Sequence, residues 1–168
     1  MIGARWGATA AELAAPQPCD TLLRTDAHRA DRAISIDAAV GVVFRWLCQL
    51  RAAPYSYDLL DNFGRRSPRT LTPGLERLAV GQRVMTVFTL TSFGTDEQLT
   101  IRSGRHTAVT YAVRAEREGS TRLAVRIRFA LPRWLAQPIV LGDLVMMRKQ
   151  LLTLKLLAER DARGTSQA

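Results

Sequence analysis

Between Gly81 and Phe129 the chain alternates apolar and polar residues in four successive segments, and this pattern constrains the fold more than any other feature. Val84, Thr86, Phe88 and Leu90 alternate with Met85, Val87, Thr89 and Thr91. Leu99 and Ile101 alternate with Thr100 and Arg102, and Val109, Tyr111 and Val113 with Thr110, Ala112 and Arg114. Leu123, Val125, Ile127 and Phe129 alternate with Ala124, Arg126 and Arg128. Successive strand side chains point to opposite faces, so a period of two marks a strand with one buried face. Gly94, Gly104 and Gly119 sit between or beside these segments as turn residues. Four strands joined by short links predict an antiparallel meander. Its apolar side should face a helix. Its other side should be wet and carry Arg102, Arg114, Arg126 and Arg128.

The flanks supply the helices. Arg32–Asp37 alternates as a first strand, and Asp37 is placed to cap the helix that follows. Val40, Val43, Phe44, Leu47 and Leu50 recur at helical spacing, and Pro54 predicts an end near Arg51–Ala53. Tyr57–Phe63 reads as a second short helix closed by Gly64. Thr72 followed by Pro73 predicts one helical turn. Pro132 and Pro138 bracket a loop around Trp134, and a long helix should run from about Ile139 to Asp161.

On that helix Val140, Leu144, Met147, Leu151, Leu154 and Ala158 form one stripe. Arg148 and Lys155 lie at one margin, with Asp143 and Gln150 at the other. Met146, Leu152, Leu156 and Leu157 fall off the stripe, so its back should be covered by the N-terminal arm or by a second copy of the chain, a homodimer. Strand, helices, antiparallel strands and a long final helix make an α+β architecture.

A length of 168 residues fits one domain. Residues 1–30 are expected to form an arm packed on it, residues 31–162 the domain, and residues 163–168 a frayed tail. The net charge is +9, and the 24 basic residues include only two lysines, Lys149 and Lys155. The arginines are scattered, which favours a solvated surface over a nucleic-acid binder, a partner not expected here. No run of ~18 uncharged apolar residues offers a transmembrane segment. Cys19 and Cys48 form no paired motif, and residues 1–16 lack a signal-peptide core, so the expected location is the cytoplasm.

Several stretches carry a resemblance. Arg32-Ala33-Ile34-Ser35-Ile36-Asp37-Ala38-Ala39, followed by Val43-Phe44-Arg45-Trp46-Leu47, resembles the first strand and helix of the START-like helix-grip superfamily, also called SRPBCC or polyketide cyclase/dehydrase-like. Tyr55-Ser56-Tyr57-Asp58 with Asp61-Asn62 resembles the YSYD stretch of an uncharacterised, actinobacterial-type subgroup. Gly142-Asp143 and Met146–Leu151 resemble its C-terminal helix, and Trp6–Thr9 its N-terminal lead. The resemblance spans roughly residues 31–160. It implies a curved antiparallel sheet wrapped around a long C-terminal helix, as in START and Bet v 1-like folds, with two short helices after the first strand and a cavity between sheet and helix. It also implies binding of lipids, sterols, polyketides or other apolar molecules. Some members cyclise or dehydrate polyketides, but no shared catalytic motif transfers by residue.

Candidate ligand contacts follow. Tyr55, Tyr57 and Phe63 could line a cavity mouth, or pack in the core. Met85, Phe88, Tyr111, Phe129, Met147 and Leu151 could touch a ligand or fill a solid interior, since both have the same polarity. Asn62 could orient a ligand. Asp58 and Asp61 share a helical face and could do acid–base work, or be surface carboxylates. Arg148 and Lys155 could reach an anionic head group, or pair with Glu97 or Glu159. His28 and His106 have no partner at metal spacing, and no GxSxG, phosphate loop or GxGxxG occurs. No metal or cofactor is expected. The leading expectation is therefore a binding protein for a hydrophobic or amphipathic small molecule. A polyketide cyclase or dehydratase is the enzymatic alternative. Binding of an anionic surface or nucleic acid by the outer sheet face is the third.

Overall fold

A computed structural model of the chain describes residues 2–57 and 66–165. It is an α+β fold built on one seven-stranded sheet. The strands are β1 (Arg5–Trp6), β2 (His28–Ile36), β3 (Arg83–Val84), β4 (Phe88–Gly94), β5 (Gln98–Ser103), β6 (Thr107–Arg117) and β7 (Ser120–Phe129). Their order across the sheet is β1-β2-β7-β6-β5-β4-β3. Among the described residues only β1 and β2 pair in parallel. The other neighbours are antiparallel, with Val109 opposite Ile127 and Tyr111 opposite both Leu99 and Val125. Register shifts at Leu90/Ser92 in β4 and Ala115/Arg117 in β6 bend those strands, as bulges do.

Among the described residues two short helices, α1 (Ala10–Ala14) and α2 (Val40–Cys48), accompany the long α3 (Arg133–Thr165). At 33 residues α3 is about 50 Å long. The long α3 packs against one face of the sheet. Leu99, Ile101, Leu123 and Val125 from the sheet join Phe44, Trp46 and Leu47 of α2, and Leu151, Leu154 and Leu157 of α3, in one core. Trp46 ties α2 to α3 by donating from Nε1 to Asp161 Oδ2 at 3.0 Å.

Four local expectations are corrected. Asp37 does not cap α2: the capping position is Ala39, with no side-chain bond, and the Asp37 amide instead donates to Glu159 Oε1 at 2.9 Å. The segment Val84–Thr91 is not one strand. Met85 and Thr86 take φ of 46° and 64°, and the chain turns there from β3 into β4. Left-handed backbone is costly for a β-branched residue, so nothing in the alternation announces it. Thr72-Pro73 opens a hydrogen-bonded turn over residues 73–76 rather than a helix. The last helix starts at Arg133, takes Pro138 inside it, and continues to Thr165. Pro138 is close enough to the helix start to be absorbed at the cost of one hydrogen bond. The helix expected at Tyr57–Phe63 lies, Tyr57 apart, outside the described residues, as do Asp58, Asp61, Asn62 and Gly64.

The outer sheet face is also not wet as expected. Arg126 is 3% exposed and Arg128 8%. Both lie under residues 10–27. Every N–H of Arg126 is used: Nε donates to Asp31 Oδ1, Nη1 to Ala15 O and Asp20 Oδ2, and Nη2 to the carbonyls of Glu12 and Leu13. Arg128 donates to Asp20 Oδ1 and to the carbonyls of Arg24, Thr25 and Ala27. Arg122 donates to both oxygens of Glu12, at 2.7 and 3.0 Å. Glu12 also closes a capping box with Thr9 at the start of α1. Arg114 alone of the four expected arginines is exposed.

With the arm on the sheet, little of it reaches the back of α3. Ile2 and Trp6 sit beside the helix, through Ile2 O with Gln137 and the Trp6 ring with Arg148. Leu141, Val145, Leu152 and Leu156 remain exposed. Leu157, off the predicted stripe, is buried.

Candidate functional site

The helix grips the sheet unevenly. In its C-terminal half, Leu151, Leu154, Leu157 and Ala158 are buried in the core. In its N-terminal half, Ile139, Gly142, Asp143 and Met146 face a cavity of about 710 Å³ instead. Val109 and Tyr111 of β6, with Ile127 and Phe129 of β7, form the opposing wall. Pro54, Ser56 and the Met85–Phe88 turn form the rim. The volume lies within the ~300–1,000 Å³ typical of small-molecule sites.

The sequence explains the gap. Gly142 contributes no side chain, and a Cβ built there meets no heavy atom within 4 Å. Met85, Met146 and Met147 line the space with flexible side chains that can adapt to varied shapes. The rim is also strained: Tyr55 (φ 57°), Met85 and Thr86 all hold left-handed backbone.

Besides the small hydroxyl residues Ser56, Thr86 and Thr107, three larger polar side chains interrupt this mostly apolar wall. The Tyr111 hydroxyl donates to Gln150 Oε1 at 2.9 Å, and Gln150 Nε2 donates to Pro54 O at 2.6 Å. This chain crosses from sheet to helix to rim. Burial pushes the Tyr111 hydroxyl far above its ordinary range, and the charge of Asp143 adds to the shift. The third group is Asp143. Its Oδ2 accepts from Arg32 Nη2 at 2.9 Å. Arg32 is fully buried and also donates from Nη1 to Asp31 O at 3.1 Å. Burial raises the Asp143 pKa to about 6, against the opposing pull of Arg32. Oδ1 of Asp143 has no hydrogen bond from the described residues.

The candidate residues divide by place. Met85, Phe88, Tyr111, Phe129 and Met147 lie on the cavity wall. Leu151 is buried in the core below it. Tyr55 is 1% exposed and packs edge-on against Trp46, ring centres 6.0 Å apart. Tyr57 and Arg148 lie instead in a separate groove of about 300 Å³ with Trp6, Leu144, Val145 and Lys149. There the Arg148 guanidinium sits 5.9 Å from the Trp6 ring centre. Lys155 pairs with Glu159 at 2.8 Å and donates to Ser35 O. Asn62 lies outside the described residues.

Sequence reasoning missed Asp143 and Gln150 as cavity groups, although both stand at the margin of the apolar stripe. A polar residue three or four places from stripe residues on a buried helix was the available signal.

Among the described residues, no helix is long and apolar enough to cross a membrane. No family model matches the chain, and no curated protein matches it. Solved structures do resemble it. A START superfamily protein from Mycobacterium smegmatis is 10% identical, with 82% of this chain and 99% of that one aligned and a TM-score of 0.45. An uncharacterised protein from Bacillus thuringiensis is 14% identical, over 76% of this chain and 96% of that one, with a TM-score of 0.45. The self-sacrificing resistance protein CalC from Micromonospora echinospora is 13% identical, over 82% and 95%, with a TM-score of 0.42. At such identities the likeness concerns the course of the chain alone.

Proposed function

We propose that this protein binds a hydrophobic or amphipathic small molecule, lipid-like or polyketide-like, between the sheet and the N-terminal half of α3. The observation that carries this reading is the cavity of about 710 Å³, apolar on most of its wall and bearing Tyr111, Gln150 and Asp143 as convergent polar groups. Binding would be driven by removal of apolar ligand surface from water, at roughly 25 cal/mol per Å² before the costs of association. The polar groups would fix orientation.

Gly142→Leu tests it. The added side chain enters open space in the cavity, and leucine favours a helix over glycine by about 1 kcal/mol. The variant should keep or gain thermal stability while losing saturable Nile red binding by about tenfold or more. A wild-type protein that carries no extractable apolar molecule and shows no saturable Nile red binding would overturn the reading. So would a Gly142→Leu variant that binds as the wild type does.

The enzymatic alternative is favoured by one observation, the Asp143 carboxyl with a pKa of about 6 on the cavity wall. A group titrating near neutrality can accept a proton and return it. A cyclisation or dehydration could use it in that way. A bell-shaped or single-step pH profile of turnover that vanishes in Asp143→Asn would support this second reading. The outer-face reading loses its support, because Arg126 and Arg128 are spent on the arm.

A further inference from the structure

We propose that the back of α3, the face turned away from the sheet, docks this protein on an anionic lipid surface. Trp134, Leu141, Val145, Leu152 and Leu156 are all exposed there, Trp134 by 75%. At 3.6 residues per turn these five fall within one arc of about 60° and extend for about 33 Å along the helix. Arg148 lies at one edge of the arc and Lys149 at the other, both exposed. Ile2, also exposed, is held beside the strip by the bond from Gln137 to its carbonyl. The three carboxylates of α3 are each paired with a cation: Asp143 with Arg32, Glu159 with Lys155 and Asp161 with Arg160. Among the described residues Arg148 and Lys149 have no carboxylate partner, and Arg148 rests on the Trp6 ring instead. The strip is therefore apolar along its middle and positive along both margins. It lies outside the cavity, so docking does not depend on what the cavity holds.

This is the pattern of a helix lying in the plane of a bilayer interface. Apolar side chains enter the acyl boundary, tryptophan sits at headgroup level, and long basic side chains reach the phosphates. Two other occupants fit worse. In an antiparallel pair of two copies, Leu141 would meet Leu156 and Val145 would meet Leu152. The centre of that pairing falls between Arg148 and Lys149, so each cation would face its own copy, and like charges across an interface repel. A partner helix needs an unbroken apolar seam at heptad spacing. The seam through Trp134, Leu141, Val145 and Leu152 also runs through Pro138 and Arg148. A lipid surface imposes no register: it accepts a strip of any spacing whose marginal charges find anionic headgroups.

Co-sedimentation of the whole chain with vesicles tests this. In low salt the protein should partition onto vesicles of equal parts phosphatidylcholine and phosphatidylglycerol about tenfold or more strongly than onto phosphatidylcholine alone, and concentrated NaCl should weaken that binding. Arg148→Gln/Lys149→Gln and Val145→Gln/Leu156→Gln should each lose about tenfold or more in partitioning while melting as the wild type does, because all four side chains are exposed. Arg83→Gln/Arg117→Gln removes the same charge from exposed positions on β3 and β6, and should bind as the wild type does. Tryptophan emission should shift to the blue on the anionic vesicles, and most of that shift should vanish in Trp134→Phe. Absence of binding to the anionic vesicles would overturn the proposal, as would equal binding to both vesicle types or an equal loss in the Arg83/Arg117 pair. So would a dimer in sedimentation equilibrium that Val145→Gln/Leu156→Gln dissociates, since a second copy would then cover this face.

Discussion

Arg32, in β2, donates to Asp143, in α3, at 2.9 Å across 111 residues of chain, and it does so with no exposed surface of its own. The pair fixes the N-terminal half of the helix at a set height above the sheet, over the cavity. Breaking a buried pair from one side leaves a charge without compensation. Arg32→Leu should therefore cost about 3–5 kcal/mol at pH 7.5, and Arg32→Leu/Asp143→Leu should recover most of it. Urea denaturation of the two variants checks this.

Burial of Asp143, against the pull of Arg32, makes stability depend on pH. Asp143 titrates near 6 in the folded chain, against an ordinary value of 3.8. Between those values the folded chain binds more protons than the unfolded one, so stability must fall as pH rises. The contribution is complete below about pH 4 and is lost as pH climbs through 6. Relative to Asp143→Asn, the wild type should lose on the order of 2–3 kcal/mol between pH 4 and pH 7. Parallel denaturation curves at both pH values are the measurement, and a flat difference would contradict it.

Glu12 works in the opposite direction. Hydrogen bonds from Arg122 and Thr9 depress its pKa to about 2, from 4.5. Its contribution is present above about pH 4.5 and disappears as pH falls through 2. Glu12→Gln should cost about 2–3 kcal/mol at neutral pH and nothing near pH 2. Amide exchange of the Thr9–Leu13 segment should speed up in the variant, while exchange in β6 changes far less.

Tyr111→Phe removes the donor to Gln150 and strands a buried carbonyl oxygen. An unsatisfied buried acceptor costs about 1–3 kcal/mol. A thermal melt should show that loss, and a second substitution, Gln150→Met, should return part of it.

The central sheet was legible because Leu123–Phe129 and Val109–Val113 each keep their large apolar residues on one face, and the period of two follows directly. The turn at Met85–Thr86 was not, since apolar residues continue across it and neither residue favours left-handed backbone. The extra turn and a half at the start of α3 was hidden by Pro138, which reads as a stop unless its position within the helix is known. Arg126 and Arg128 were legible as outward-facing. Whether an outward arginine meets water or a folded-back arm depends on contacts about a hundred residues away. In the candidate site, Tyr111, Phe129 and Met147 could be placed on the correct face but not told apart from Leu151, because a cavity wall and a core share the same polarity. The stripe margin marked Asp143, but its pairing was not legible: its partner Arg32 sits on another element, so no local spacing joins them.

The Arg126 clasp has an evolutionary consequence. Three of its five acceptors are main-chain carbonyls, at residues 12, 13 and 15, which any side chain leaves in place. The leader can thus change its spelling without loosening its hold. It cannot change its length there: inserting or deleting one residue between Glu12 and Asp20 would put the arm's four oxygens out of step with one another around the guanidinium, leaving Asp31 Oδ1 in place.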